Sequence, residues 1–358
     1  MAYDPPDPVT YMVGISGPSS SGKTTLARLL HRIFSGARVH IEGAPQYDQL
    51  HTFMIHEDDF YKPDNRIPYI TLPSGTKIQD WDTPTAIDTD WLSLALSHAR
   101  MNGRLPNSIA SKEDQNVSGP TGVPETLIAE LRQLVEKQLS SVPASYKMRQ
   151  SIAFLEGFLL FAPPKDRPSI WGEEHPSQSI HEQINLSLFL PAPYTAVKAR
   201  REGRDGYVTI GGDQPPPGPG NVVSSNISSA GSGSGSTPTP SSKPEIDLDT
   251  AGTDSPQNFW VDPPGYVDDI VWPRYLEYHE WLLIPVDQRA AAKGDWVQAF
   301  GEGEKCHTDV GVRVAPGEGA VGMDVVLRWA VEEVLTALLK KYDPGHPAKP
   351  RVTHEPGY

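Results

Sequence analysis

Gly17-Pro18-Ser19-Ser20-Ser21-Gly22-Lys23-Thr24 matches the phosphate-binding pattern G-x4-G-K-[ST] at every required position. The apolar run Tyr11-Met12-Val13-Gly14-Ile15 precedes it and reads as a buried first strand. Lys23 to Phe34 follows as a helix, with Leu26, Leu29, Leu30 and Ile33 on one face. The order strand, glycine loop, helix is what the chemistry requires. Glycines let backbone N–H groups turn inward around phosphate oxygens, and the helix N-terminus adds positive potential. The ATP-binding candidates are therefore Gly17, Ser19, Ser20, Ser21, Gly22, Lys23, Thr24 and Thr25. Lys23 would reach the β and γ phosphates, and Thr24 would offer its hydroxyl to Mg2+. Such a loop predicts a nucleoside triphosphate without choosing a reaction.

Further strands are expected at Thr52 to His56, Ile152 to Leu155, Ile184 to Leu190 and, toward a sheet edge, Val310 to Val314. Helices are expected at Asp90 to Met101, Pro124 to Leu139 and Met323 to Lys341. Short apolar runs alternating with helical patterns imply parallel βαβ units. The fold class is α/β: a P-loop NTPase with three α/β/α layers, a parallel sheet and a lid.

The chain has 358 residues with 31 basic and 45 acidic side chains, a formal net charge of −14. That balance argues against a nucleic-acid partner, which would call for a basic surface. Phosphate chemistry must then rest on local charge. Glycine and proline are in excess, 31 and 36 residues, and the excess is uneven: 24 of the 32 residues from Gly211 to Ser242 are Gly, Pro, Ser or Thr. So little apolar surface cannot offset ordering entropy. The predicted organisation is a disordered 1–8, a kinase core and lid over 9–210, a low-complexity disordered insertion at 211–257, the core continued over 258–341, and a flexible tail at 342–358. A linker between two domains is the alternative reading of the tract. The lone Cys306 excludes an intrachain disulfide. No run of about 20 apolar residues occurs, and Met1 to Pro8 is acidic and proline-rich. A cytoplasmic protein with no membrane partner is expected. His51, His56 and Cys306-His307 lack the spacing of a transition-metal site.

The second strand ends in His56-Glu57-Asp58-Asp59-Phe60-Tyr61-Lys62-Pro63. In open parallel sheets ligands collect at the carboxyl ends of strands, so these carboxylates would face the loop. One of them could take the proton of an attacking hydroxyl and help hold Mg2+. A lid is expected at Pro193 to Arg204, whose Lys198, Arg200, Arg201 and Arg204 form a basic cluster in an acidic chain. Arginine forks of that kind can offset charge on a transferring phosphoryl group.

Asp58-Asp59-Phe60-Tyr61-Lys62-Pro63 resembles the D-D-F-[FY]-K-P stretch of nicotinamide riboside kinases, and more loosely the D-S-F-Y stretch of uridine kinases. Phe154-Leu155-Glu156-Gly157-Phe158-Leu159-Leu160-Phe161 resembles the E-G-F-L-L-F of nicotinamide riboside kinases, whereas uridine kinases read nearer E-G-I-L. Asp262 to Tyr278, with Val271-Trp272-Pro273, resembles a P-G-Y-F-D-x-x-V-W-P-x-Y-L-x-Y segment that uridine kinases lack. The resemblance covers about 1–210 and 259–340, with extra residues near 40–52, 101–122 and 282–308.

It implies a nucleoside/nucleotide kinase-like fold and transfer of the ATP γ-phosphate to the ribose 5′-hydroxyl of nicotinamide riboside, with ATP and nicotinamide riboside as small-molecule partners and Mg2+ as cofactor. Asp58 would be the base and Mg2+ neighbour, with Lys23 and Arg200 also catalytic. Thr24, Asp58 and Glu156 would serve the metal. Asp58, Asp59, Phe60, Tyr61, Trp81, Asp82, Arg201 and Tyr207 would bind the riboside. Trp81, where those kinases carry tyrosine, would stack on the base, and Asp82 would accept from ribose hydroxyls. Arg200 and Arg204 would contact the nucleotide, and the adenine loop would lie near Ala315 to Glu318. The alternatives are a uridine/cytidine kinase and, from another class, a non-catalytic ATP-binding scaffold.

Overall fold

Seven residues without a charge, Thr10 to Ser16, form the central strand β1, buried along its whole length. A computed structural model describes residues 9–40, 47–72, 74–109, 111, 121–140, 151–167, 169–171, 175–204, 206–209, 211 and 259–341. After β1 come α1 (Lys23–Ser35), β2 (Thr52–His56), α2 (Thr89–Asn102), α3 (Glu125–Leu139), β3 (Ser151–Glu156), β4 (Leu186–Phe189) and α4 (Tyr194–Glu202). There follow β5 (Tyr207–Val208), β6 (Phe259–Trp260), α5 (Trp272–Tyr278), β7 (Arg313–Val314) and α6 (Met323–Lys341). Five strands make one parallel sheet in the order β7-β4-β1-β3-β2. Strand order therefore reverses at β1, and the crevice beyond its carboxyl end is the place where such sheets bind ligands.

Period-two alternation decides the layers. Val13 and Ile15 join Leu26, Leu30 and Ile33 of α1, Leu131 of α3 and Leu327 of α6 on one face. Met12 joins Leu92, Ala95 and Ala99 of α2, with Trp272 and Leu276 of α5, on the other. The result is helix, sheet, helix, the expected three layers. Register places Ile15 opposite Glu156, and His56 opposite the same Glu156. The carboxyl ends of three strands thus meet at one height.

Some boundaries move. The fourth strand starts at Leu186 rather than Ile184, because the Ile184 N–H is taken by His181 O in a turn. The edge strand shrinks to Arg313–Val314, after Gly311 at φ +79° bends the chain. Two three-residue hairpins, Arg38–His40 with Tyr47–Gln49 and Tyr69–Thr71 with Lys77–Gln79, carry no pattern that would announce them. Val267–Val271 forms a π turn in which Trp272 N–H reaches Val267 O, five residues back. Pro273 supplies no N–H to continue an ordinary ladder, which favours the wider turn at that point.

The tract expected to be disordered, 211–257, lies outside the described residues except for Gly211, as do 1–8 and 342–358. What flanks the tract is ordered. Tyr207 pairs with Trp260 and Val208 with Phe259 in an antiparallel ladder, so the chain re-enters where it left. Among the described residues no helix is long and apolar enough to cross a membrane.

Candidate active site

The glycine loop wraps the end of β1 because its backbone can go where side chains cannot. Gly17 sits at φ +149°, and a Cβ there would collide with Leu190 O just past the end of the neighbouring strand. Ser20 is one of two described non-glycine residues with positive φ, at +59°. Lys23 is buried and its Nζ donates 2.9 Å to Pro18 O, folded back over the loop. Burial lowers its pKa, opposed by the carboxylates of Glu156 and Asp58. The hydroxyls of Ser16, Ser20 and Ser21 are buried without a hydrogen-bond partner. Buried polar atoms are seldom left so, and a phosphate in the cradle would satisfy them.

Beneath the loop, Thr24 Oγ1 donates 3.1 Å to Glu156 Oε1, and His56 Nδ1 lies 2.7 Å from the same oxygen. Burial works against a charge on Glu156, but the hydrogen bonds from His56 and Thr24 and the attraction of His56 and Lys23 prevail and hold it below the usual carboxylate range. Asp58 enters the same cavity from the turn after β2. Thr24, Asp58 and Glu156 present an all-oxygen set suited to a hard divalent cation such as Mg2+. No three His, Cys, Asp or Glu side chains converge as a metal site among the described residues. An ion here would keep most positions for water and phosphate oxygens, as Mg2+ prefers.

Glu57, beside them, faces inward. Its Oε2 accepts from Phe158 N at 2.7 Å and Leu159 N at 3.0 Å, and burial pushes its pKa up to about 7 despite those donors. A Cβ at residue 157 would strike the Glu57 side chain, so Gly157 is what lets the strand end meet its brace.

The far wall of the cavity is aromatic. Tyr61 meets Trp81 edge-on at 5.4 Å, and Trp81 meets Trp260 at 5.5 Å. Tyr207 comes from the lid side, with the Arg201 and Arg204 guanidinium carbons 5.2 and 5.3 Å from its ring centre. Trp81 is 6% exposed and its indole N–H has no hydrogen-bond partner.

Arg201 ties the walls together. Its Nη1 donates to Ser19 Oγ at 2.8 Å and to Asp82 Oδ1 at 3.1 Å, and its Nε to Asp262 Oδ2 at 2.6 Å. Burial opposes the charge, yet the two carboxylates more than compensate and its pKa stays well above the ordinary value. Trp260 Nε1 donates to Asp262 as well, at 2.8 Å.

The other lid cations diverge. Lys198 turns away to Asp268, 2.6 Å distant. Arg200 Nη1 donates to Ser20 O at 3.3 Å and, with Arg204, lines a second cavity of about 390 Å3 on the outer side of the loop. Ala315, Pro316, Val321 and Met323 form its apolar wall, where the adenine loop was expected.

Most predicted positions converge on one cavity: Ser19, Ser20, Gly22, Lys23, Thr24, Thr25, Asp58, Tyr61, Trp81, Glu156, Arg201, Arg204 and Tyr207 all line it. Ser21 and Arg200 line the second cavity instead. Gly17 shapes the loop from behind. Phe60 does not reach the cavity: it is 2% exposed in the core beside Ile87 and Leu92, because the 3-10 turn Glu57–Phe60 rotates it inward. Asp59 does not line it either, and Asp82 stands one layer back, engaged by Arg201. Trp260, Asp262, Glu57 and His56 are additions. Trp260 and Asp262 sit next to a low-complexity tract and become part of the site only through the β5–β6 ladder. Glu57 and His56 belonged to a run of four polar residues with nothing to mark which would be buried.

A phosphate cradle at the reversal point of a parallel sheet, with a carboxylate and an aromatic slot in the same cavity and arginines overhead, makes up a P-loop nucleotide-binding site. The chain matches no protein-family model. It is similar to nicotinamide riboside kinases along most of its length: that of Schizosaccharomyces pombe is 26% identical over 92% of this chain and 98% of its own. The Saccharomyces cerevisiae enzyme of that name is 25% identical over 77% of this chain and 80% of its own. Nicotinamide riboside kinase 1 of Homo sapiens is 23% identical over 81% and 90%. A solved structure described as a possible uridine kinase from Bacillus stearothermophilus covers 56% of this chain and 85% of its own, at 16% identity and a TM-score of 0.28.

Proposed function

We propose that this chain is an ATP-dependent nicotinamide riboside kinase that moves the γ-phosphate to the ribose 5′-hydroxyl, giving nicotinamide mononucleotide and ADP for NAD biosynthesis in the cytoplasm. The observation that carries the proposal is the single cavity in which Lys23 and Thr24 stand at one end, Trp81 and Trp260 at the other, and Asp58 between them. A pyridinium is flat and cationic, and indole faces are electron-rich, so the slot suits that base better than a neutral one.

Asp58 accepts the 5′-hydroxyl proton as that oxygen attacks the γ-phosphorus, and the bond to the ADP oxygen breaks on the opposite side. Lys23 swings from Pro18 O onto the β and γ phosphates, an exchange of one acceptor for another with more charge. Arg204 adds positive charge from the lid, and Arg200 holds the nucleotide from the outer cavity. Thr24, Glu156 and Asp58 would hold Mg2+, which offsets charge on the phosphoryl oxygens when bound. His56 keeps Glu156 ionised and aimed at Thr24. Arg201 orders the ribose side by fixing Asp82 against Ser19.

The test is a substrate panel on purified protein with ATP and Mg2+. Nicotinamide riboside should be turned over with a higher kcat/KM than uridine or cytidine. A preference for uridine would overturn the proposal, and ATP binding without transfer to any nucleoside would place the chain among scaffolds.

A further inference from the structure

The segment from Tyr266 to Tyr278 touches the irregular stretch Asp80 to Thr83, which carries Trp81 and Asp82, at three points. Arg274 grips Asp80 Oδ2 with two donors, Nε at 3.0 Å and Nη2 at 2.8 Å. Asp80 Oδ1 in turn accepts from Asp82 N at 3.2 Å. Tyr266 OH accepts from Trp81 N at 2.9 Å. Tyr278 OH lies 3.0 Å from Thr83 Oγ1. Between those polar contacts Val267, Ile270 and Val271 pack with Trp81 in a small apolar cluster of their own.

The chemistry of the contacts is stringent. Asp80 is 1% exposed, and burial raises its pKa against the opposing pull of Arg274. A carboxylate so placed needs its partner. Arg274 and Tyr278 are four residues apart on α5 and so share a face. The π turn ahead of α5 brings Tyr266 to the same side. Of Tyr266, Arg274 and Tyr278, none lines the cavity.

We propose that Tyr266, Arg274 and Tyr278 are positioning residues: they clamp residues 80–83 so that Trp81 walls the nucleoside slot and Asp82 meets Arg201, and nucleoside selectivity depends on this clamp. The inference rests on the reading of Trp81 and Asp82 as nucleoside-side groups given above. It assigns a physical task to the stretch around Val271-Trp272-Pro273: that stretch sets selectivity without contacting substrate.

The experiment is steady-state kinetics on the full-length protein. Arg274→Met should raise KM for nicotinamide riboside about 10-fold while KM for ATP stays within about twofold, as outer supports of a site typically act. Selectivity for nicotinamide riboside over uridine should fall with it. The double variant Asp80→Asn with Arg274→Met should bind the riboside better than Arg274→Met alone, because it no longer buries a carboxylate stripped of its cation. Arg274→Lys, which keeps the charge and loses the fork, should fall between.

Should Arg274→Met fail to fold, Tyr266→Phe and Tyr278→Phe each delete one hydroxyl and keep the ring, and each should raise the riboside KM about threefold with KM for ATP unmoved. Equal rises in both KM values would show a general loss of structure and overturn the clamp. So would an unchanged riboside KM in all of these variants. Wild-type protein inert toward nicotinamide riboside has a different signature: it overturns the functional reading itself, and the clamp with it.

Discussion

The phosphate end of the cavity rests on one continuous loop, Gly17 to Thr24, of which Ser19, Ser20, Gly22, Lys23 and Thr24 line it, whereas the nucleoside end takes Tyr61, Trp81, Tyr207 and Trp260 from four separated segments. At the first end backbone geometry carries the recognition, fixed by a strand before and a helix after. At the second, side chains do so, and their places depend on a ladder, a buried arginine and a clamp. A local motif can therefore be read in one dimension, and an assembled one cannot. The two ends should also fail differently when perturbed, the first in turnover and the second in affinity and stability.

The largest effect should come where the ends join. Asp58→Ala removes the proton acceptor, and kcat should fall about 10²- to 10⁴-fold with the urea midpoint unchanged. Turnover close to wild type would move the base elsewhere. Next is Arg201→Met, which leaves the buried Asp82 without its cation and the half-buried Asp262 with only the Trp260 indole donor. Breaking a buried pair on one side costs about 3–5 kcal/mol, so urea unfolding should shift by that amount. If stability holds while riboside affinity drops, Arg201 is a ligand group and not the pin between lid and slot.

The same contrast explains what could be read in advance. Lys23 at the helix start, the strand Thr52–His56 and the edge position of Arg313–Val314 follow from pattern and turn chemistry, which act over a few residues. Strand ends bring carboxylates to the loop, and the choice of Asp58 and Glu156 among them rests on the resemblance to nicotinamide riboside kinases. Phe60 shows the limit: two residues past Asp58, it is rotated into the core by the 3-10 turn, a register that composition does not encode. Trp260, Asp262, Arg274 and Tyr278 work at long range, with partners up to 195 residues away in sequence, and nothing local in the chain announces those partners. Glu57 was hidden differently, among acidic neighbours that differ only in the direction they face.

Acid should act on the nucleoside half through its scaffold. His279 ends α5 with Nδ1 donating to Tyr275 O, and His175 packs on Trp171, which stacks on Tyr278. Burial pushes both imidazoles down to about 4. Their folded pKa values lie below the unfolded value, so their contribution is present above about pH 6.5 and is lost as pH falls toward 4. Each histidine costs about 1.4 kcal/mol per pH unit inside that window, and the pair should remove about 3–4 kcal/mol between pH 7 and pH 5. Urea midpoints at the two pH values measure it, and His279→Gln should remove about half of the slope. Equal midpoints at pH 7 and pH 5 would mean that these rings are not held neutral by the fold.

The smallest expected effect discriminates most finely between the two ends. Trp260→Leu keeps an apolar wall beside Trp81 and loses the indole face, so a cationic base should lose about 0.5–2 kcal/mol of attraction that a neutral base never had. Riboside KM should rise by about 2- to 30-fold, ATP KM should not move, and uridine should be affected less than nicotinamide riboside. The phosphate end predicts no such charge dependence, since its contacts are to groups all nucleotides share. Equal losses for both nucleosides would reduce Trp260 to a space-filling neighbour of Trp81. A loss confined to the cationic substrate would make the residue after the low-complexity tract a determinant of which nucleoside the P-loop is given to phosphorylate.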